Sequence, residues 1–332
     1  MAGMPPSYRS FASPRLVRWS KNRRSGALVE GIMAGSKQHR HLGGAQKTGA
    51  DLHTVGDRGL IDVVDAQIHF GPAEGVEGTL FAMDALGIRQ LIVDEMWGFE
   101  NGLPRPGLQF EGGAFRPVAI LAQEAAARFP DRFAYIQRVV RNDPDLTAHI
   151  RSLALSPGCV GLRVIISSRK EREALAAGEW DSVFVLALEH GLPVNLLTVD
   201  LPLHARALVG RFPDLRLCAD HCGWSESSAG WQSVLDLADL PGITLKWSHP
   251  GRTFRHFADP ARAEADGLLA AVRAFGADRV CWASDVTYEE TAKSWSELLG
   301  SVRFHAGLSD QDRDWVLAGT ARKLYGLSPE CG

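Results

Sequence analysis

The sequence predicts an α/β protein whose body is a (β/α)8 TIM barrel preceded by a disordered N-terminal extension. Three observations predict it. From Ile61 onward, eight short β-branched runs alternate with longer amphipathic segments. Most of those runs are apolar nearly throughout, as parallel strands covered on both faces must be. The chain has 332 residues, enough for one barrel of about 250 residues and a tail. A doubly wound open sheet shares the alternation, but eight repeats favour a closed barrel.

The extension covers residues 1–59 and the barrel residues 60–330. Residues 1–60 hold ten Lys/Arg against three acids, a balance of +7, and the net −3 of the chain leaves −10 for the rest. The extension is rich in Ser, Gly, Arg and Lys and shows no sustained periodicity, so it cannot bury enough apolar surface to offset chain entropy. A transit peptide has similar composition, but Arg15–Arg24 has no apolar face and no cleavage-like signal follows. Met33 would serve as an internal start. An acidic body argues against a nucleic-acid partner. No apolar run reaches the roughly 18 residues of a membrane span.

Apolar residues make up 45% and charged residues 23% of the chain, as in ordinary soluble globular proteins. Of the five cysteines, Cys159, Cys218 and Cys281 lie in or beside apolar runs. Cys222 and Cys331 complete an odd set with no CxxC. This reads as reduced thiols in a cytoplasmic protein, with neither a disulfide framework nor a zinc knuckle.

The expected strands are Ile61–Gln67, Gln90–Asp94, Phe133–Val139, Cys159–Ile166, Leu192–Leu197, Leu215–Ala219, Ile243–Trp247 and Arg279–Ala283. The expected helices between them are Val76–Leu86, Leu121–Phe129, Pro144–Leu155, Trp180–His190, Leu203–Phe212, Trp231–Ala238 and Arg262–Phe275. Two closing helices follow, near Thr291–Arg303 and Asp310–Leu324. Gly87, Pro130, Gly158, Gly191, Pro213 and Gly276 punctuate the ends. The connection Trp97–Pro117 is long and aromatic, which suits a substrate lid.

A barrel aims the last side chains of its strands at one shared mouth, so polar residues there are site candidates. The first strand ends Asp65-Ala66-Gln67-Ile68-His69, and strict alternation turns Asp65, Gln67 and His69 to one face. The fourth strand carries Arg163, the sixth ends in Asp220-His221-Cys222-Gly223, the seventh carries Lys246 and the eighth ends in Ser284-Asp285. Histidine supplies a neutral nitrogen ligand or a proton carrier; aspartate supplies an oxygen ligand or a base. His69, His221 and Asp285 converge from three strands. Asp220 is equally suited to capping, and Arg163 to a structural ion pair. Lys246 in a buried strand demands a partner. His249 and His256 are expected in solvent, with His249 near the mouth.

These motifs resemble the metal-dependent amidohydrolases in their amidohydrolase-related branch. The resemblance rests on Asp65-Ala66-x-x-His69, Phe133-Ala134-Tyr135-Ile136 with Arg141-Asn142-Asp143-Pro144, and Asp220-His221-Cys222-Gly223. It also rests on Lys246-Trp247-Ser248, Trp282-Ala283-Ser284-Asp285 and Gly319–Leu327. The branch includes lactonases of pyrone dicarboxylates and sugar lactones and, more distantly, decarboxylases of aromatic acids. Two departures stand out. Gln67 takes the place of the branch's first histidine, and Val194-Asn195-Leu196-Leu197-Thr198 offers no strong ligand on strand five. The resemblance therefore implies at most one divalent metal ion, zinc first among candidates, on His69, His221 and Asp285; a metal-free lactonase fits as well.

The function expected is hydrolysis of a lactone or similar ester, with Asp285, His221 and His69 as catalytic residues. Arg163, Lys246 and Arg138 would bind a carboxylate on a small-molecule substrate. Gln67, Trp97 and Trp247 would complete the substrate site. Non-oxidative decarboxylation and a non-catalytic ligand-binding barrel are the alternatives, and a homo-oligomer is compatible with each.

Overall fold

The computed structural model describes residues 62–70, 75–95, 107–288 and 291–328. The basic extension expected over residues 1–59, Trp97 and Cys331 lie outside the described residues. The strands are β1 (Val64–Ile68), β2 (Gln90–Val93), β3 (Gly107–Gln109), β4 (Phe115–Pro117), β5 (Phe133–Arg138), β6 (Cys159–Ile166), β7 (Val194–Thr198), β8 (Leu217–Ala219), β9 (Ile243–Trp247) and β10 (Val280–Trp282). Eight of them form a parallel sheet in the order β1-β2-β5-β6-β7-β8-β9-β10, with helices between successive strands: a nearly closed (β/α)8 barrel.

The helices are α1 (Val76–Leu86), α2 (Ile120–Arg128), α3 (Leu146–Leu155), α4 (Arg169–Ala176), α5 (Asp181–Glu189), α6 (Leu201–Arg211), α7 (Ser228–Leu235), α8 (Pro250–Phe254), α9 (Pro260–Phe275) and α10 (Trp295–Arg303). Then α11 (Asp310–Asp314) runs through a wide turn at Trp315–Gly319 into α12 (Thr320–Tyr325). The unforeseen α4 is Arg-Lys-Glu-Arg-Glu-Ala-Leu-Ala, with only Ala174 and Leu175 buried. So narrow an apolar stripe leaves little periodic signal. The described part of the long connection is also more regular than its sequence suggests. β3 and β4 pair as an antiparallel hairpin, and two 2.6 Å hydrogen bonds from Arg116 to Asp143 tie it down.

Side chains on the two faces of the strands do different work. Ile243, Leu245 and Trp247 of β9, like Leu162 and Val164 of β6, join the outer core beneath the helices. The barrel interior is lined by smaller groups, among them Val64, Ala66, Ala134, Cys218, Cys281 and Ala283, and Tyr325 of α12 packs with them. The Tyr325 hydroxyl donates to Asn195 Oδ1 at 2.5 Å.

The seam between β10 and β1 is closed without a continuous ladder. Asp285 N–H donates to Gln67 O at 2.9 Å, and Ser284 N–H donates to Asp65 Oδ1 at 2.9 Å. The other oxygen of Asp65 accepts from Trp295 Nε1 on α10 at 2.7 Å. Asp65 therefore belongs to the outer wall and does not share a face with Gln67 and His69. The reason is a register break: Asp65 pairs with Leu91 and Ile68 with Val93, so three steps on β1 oppose two on β2. One extra residue inverts the alternation beyond it.

The four described cysteines other than the terminal one are free thiols. Among the described residues, no helix is long and apolar enough to cross a membrane.

Two outcomes follow for stability. Phe254 is buried against the rings of Trp231 (5.3 Å), Phe257 (5.3 Å) and Trp247 (6.0 Å). Phe254→Ala should cost about 3–5 kcal/mol in urea unfolding; a loss below about 1 kcal/mol would mean this cluster is not a packed core. Burial pushes the Asp65 carboxyl from 3.8 up to about 6, against the hydrogen bonds it accepts. The folded state then holds a proton that the unfolded chain releases earlier. The stability this contributes is complete below about pH 4 and is lost as pH rises through about 6. Melting curves should show that decline in the parent protein and not in Asp65→Asn; superimposable pH profiles would contradict it.

Candidate active site

At the ends of β8, β9 and β10 the chain turns through backbone conformations that L residues rarely adopt. His221, Cys222, Gly223 and Trp224 all have positive φ (50°, 50°, 67° and 54°), as do His249 (49°) and Asp285 (46°). Such turns cost on the order of 1–3 kcal/mol each and cluster where side-chain aim matters more than local ease. Their effect is to direct His221, His249 and Asp285 to one point. A Cβ on Gly223 would lie 2.4 Å from Val234, so that step of the turn also needs glycine for space.

Asp285 is fully buried and is the hub. His69 Nε2 lies 3.0 Å from its Oδ1. His249 Nε2 (2.9 Å), Gln67 Nε2 (3.1 Å) and His221 Nε2 (3.6 Å) face its Oδ2. Burial pushes the Asp285 carboxyl up, but the charges and hydrogen bonds of His69 and His249 outweigh it and hold the group well below the usual range. His221 is pushed well below an ordinary histidine, first by burial and then by its neighbour His249. Its Nδ1 meets Ser248 Oγ at 2.8 Å, which leaves Nε2 facing the site. Cys222 beside it is a buried thiol, pushed up by burial and bonded through Sγ to Ser248 O at 3.3 Å. The ring of His69 is oriented by its Nδ1, 2.5 Å from the Asp94 carbonyl, and by the edge of Tyr288 at 4.8 Å.

Beneath the hub runs a buried series of alternating charges. Arg138 reaches both oxygens of Asp94 (3.2 and 3.3 Å). Arg163 lies 3.0 Å from Asp94 and 3.1 Å from Asp220, and Lys246 lies 3.0 Å from Asp220. Lys246 also donates to Gln67 Oε1 at 2.8 Å and Asn195 Oδ1 at 2.9 Å. Burial pushes the Asp94 carboxyl up, but Arg138 and Arg163 prevail and bring it down to about 2. Burial opposes the charge on Lys246, yet Asp220 holds its pKa above the ordinary lysine value.

The sequence-nominated residues therefore divide. His69, His221, Asp285 and Gln67 meet at the hub. Arg138 and Arg163 line a cleft of about 370 Å³ shared with Phe115 and Trp180. Lys246 is fully buried with three partners, so its ammonium is committed to the protein and not to a substrate carboxylate. Trp247 faces the opposite way and packs on Trp231 and Phe254 in the outer core, not in the site. That follows from alternation: if Lys246 points inward, Trp247 cannot. Asp220 caps no backbone N–H; it pairs with Arg163 and Lys246.

His249 is not solvated as expected: it is 6% exposed and in contact with Asp285. Alternation after Lys246 would put Ser248 inward, and only the left-handed turn at His249 brings the ring in. Asp94 also went unassigned. An acid closing a buried strand, with Arg138 and Arg163 on the strands that follow, was the available signal. Among the described residues, the histidine and carboxylate atoms that gather within 4.8 Å of one another belong to His221, His249 and Asp285. That group includes His249, while His69 meets the other oxygen of Asp285.

The chain belongs to the amidohydrolase family, whose profile matches residues 107–327. Among solved structures, a protein from Pseudomonas putida proposed to be a 2-pyrone-4,6-dicarboxylic acid hydrolase aligns with a TM-score of 0.64 at 19% identity, covering 82% of this chain and all (100%) of that one. An amidohydrolase from Burkholderia multivorans with bound HEPES aligns at 0.64 and 20% identity, covering 80% of this chain and 100% of its own; a second crystal form of it contains zinc. A dihydroxybenzoic acid decarboxylase from Polaromonas sp. JS666, with bound manganese and an inhibitor, aligns at 0.54 and 16% identity, covering 81% and 98%. At these identities the likeness establishes the fold. No curated protein sequence matches the chain.

The charge series makes Lys246 a structural requirement of the site. Lys246→Met should destabilise the protein by about 3–5 kcal/mol, because Asp220 loses one of its two cations while buried. Asp220→Asn in the same chain should return part of that loss. Strict additivity in this double-mutant cycle would show that the two side chains do not interact.

Proposed function

We propose that this protein hydrolyses a lactone or a similar carboxylic ester of a small molecule, with Asp285 as general base. The observation that carries the reading is the hub itself: one buried carboxylate, ionised and facing three histidines, at the end of the barrel where the strands converge. Asp285 takes a proton from water as it attacks the carbonyl and returns it to the leaving oxygen. His221, neutral near pH 7 and turned by Ser248, presents Nε2 to the site. His69 and His249 present ring nitrogens on either side of the carboxylate, where a ring N–H would stabilise the developing oxyanion. Arg138, which lines the cleft and spends Nε and Nη2 on Asp94, would meet a carboxylate on the substrate through its remaining donors. Lys246 and Trp247 take no part in this reading.

The donor set also suits one divalent ion. Two bonds of ~2.1 Å on a shared ion leave their ligand atoms about 3.0 Å apart at a right angle and about 3.4 Å apart at a tetrahedral angle. The separations from Asp285 Oδ2, 2.9 Å to His249 and 3.6 Å to His221, bracket those values. When bound, such an ion (zinc first) supplies Lewis acidity at the carbonyl and an acidified water. The same residues support base catalysis without it.

Decarboxylation of an unsaturated or aromatic acid is the second reading, favoured by the alignment with the manganese-containing decarboxylase. Release of carbon dioxide instead of a ring-opened acid would decide for it.

Asp285→Asn, in protein shown to be folded, should lower kcat for ester or lactone hydrolysis by on the order of 10²–10⁴. Full turnover by that variant would remove Asp285 as the base.

A further inference from the structure

We propose that the cleft beside the hub seats an uncharged, ring-sized apolar substituent of the substrate, and that Ile165 and Phe115 select it. The inference rests on the ester or lactone reading above and names the substrate class. That class is an ester or lactone with a phenyl-sized group held away from its scissile bond.

The floor of the cleft comes from strand alternation. Arg163 and Asn195 point into the barrel, toward His221 and Lys246. The next inward residues are therefore Ile165 on β6 and Leu197 on β7, which lie side by side in the sheet. The outward Leu162, Val164 and Ile166 are 0–1% exposed, whereas Ile165 and Leu197 are only half-buried. Neither packs into the outer core or the interior cluster of the described residues. A single apolar residue in water is ordinary, but these two stand at the end of the barrel where ligands bind. Phe115, Val118 and Val140 share both properties, half-buried and outside the two cores, and with Ile165 they line one cleft.

The hairpin wall is set before a ligand arrives. A Cβ on Gly107 would lie 2.3 Å from the Phe115 ring, so glycine there leaves the ring its seat. Gln137 Nε2 donates to Pro117 O at 2.9 Å, and the Arg116–Asp143 pair holds the strand between. A wall already in place lowers the ordering cost of binding. The cleft adjoins the hub through Arg163, whose Nη2 lies 3.3 Å from His221 Nε2.

The charged groups of the cleft are matched within the chain. Arg163 faces Asp94 and Asp220. Arg141 is held by both oxygens of Glu171 (3.0 and 3.2 Å) and by Glu179 (2.6 Å). Glu95 Oε2 accepts from Ala122 N–H at 2.8 Å. A carboxylate on the substrate belongs at the inner end, with Arg138; a further charge among Ile165, Phe115, Val118 and Val140 would be desolvated without a partner. The volume of about 370 Å³ is more than twice the roughly 150 Å³ of an apolar cavity that takes benzene, which leaves room for a ring and the lactone that carries it.

The test uses the full chain and two ketones that cannot be hydrolysed, cyclohexanone and its phenyl-substituted derivative, titrated by ligand-observed NMR. The phenyl compound should bind more tightly by on the order of 10- to 100-fold, the effect of burying one ring. Ile165→Ala and Phe115→Ala should each cut that ratio by about 5-fold or more. Where Ile165→Ala folds poorly, Phe115→Ala probes the same cleft from the hairpin, outside the barrel sheet. Equal affinity for the two ketones overturns the proposal, and so does a ratio that survives either substitution. Turnover of δ-valerolactone and its phenyl derivative, measured in parallel, should show the preference in KM and not in kcat. Turnover of both lactones with equal ketone binding leaves the hydrolase and removes this specificity. Ring-selective binding with no ester or lactone turned over does the reverse.

Discussion

The interior of this barrel depends on one series of alternating buried charges, Arg138, Asp94, Arg163, Asp220 and Lys246, which links β5, β6 and β9 to the residues that follow β2 and β8. Burying any one of these groups alone would be prohibitive, and each is tolerated because a neighbour of opposite charge is buried with it. With Asp285 the formal charges balance, three against three. Gln67 and Asn195 are oriented by Lys246, and through Gln67 the series reaches Asp285. A packed apolar interior would be at least as stable, but it would not fix the aim of a carboxylate.

Around this base the backbone stores strain where the side chains need aiming. His221, His249 and Asp285 are all left-handed, and β1 carries an extra residue just before Gln67 and His69. A regular strand continued from Asp65 would turn Gln67 and His69 outward with it, away from the hub. Asp65 closes the seam from outside through Ser284 and Trp295, and the same two strand ends supply both closure and chemistry. Stability and site geometry are thus coupled at β1 and β10.

Much of this was legible in the sequence. The eight strands lie where periodicity puts them; β6 and β9 begin and end at the expected residues, and the others shift by one to three residues. Buried parallel strands announce themselves as apolar runs, whatever they pack against. The convergence of His69, His221 and Asp285 was equally legible, because a barrel brings strand ends together by construction. Trp247 was misplaced although the alternation with Lys246 already placed it outward.

Sequence alone determined the order of strands and helices, the amidohydrolase motifs and the polar residue types at each strand end, because these depend on local periodicity and on composition along the chain. Only the tertiary structure decided which of those residues face one another. It placed His249 at the hub, moved Asp65 to the outer wall, and spent Lys246 on Asp220, Gln67 and Asn195. The physical reason is the same in each case. A bulge or a left-handed turn reverses the aim of a side chain. Whether such a turn is worth its cost is settled by ion pairs and hydrogen bonds to residues as distant in sequence as Trp295 is from Asp65, 230 positions away.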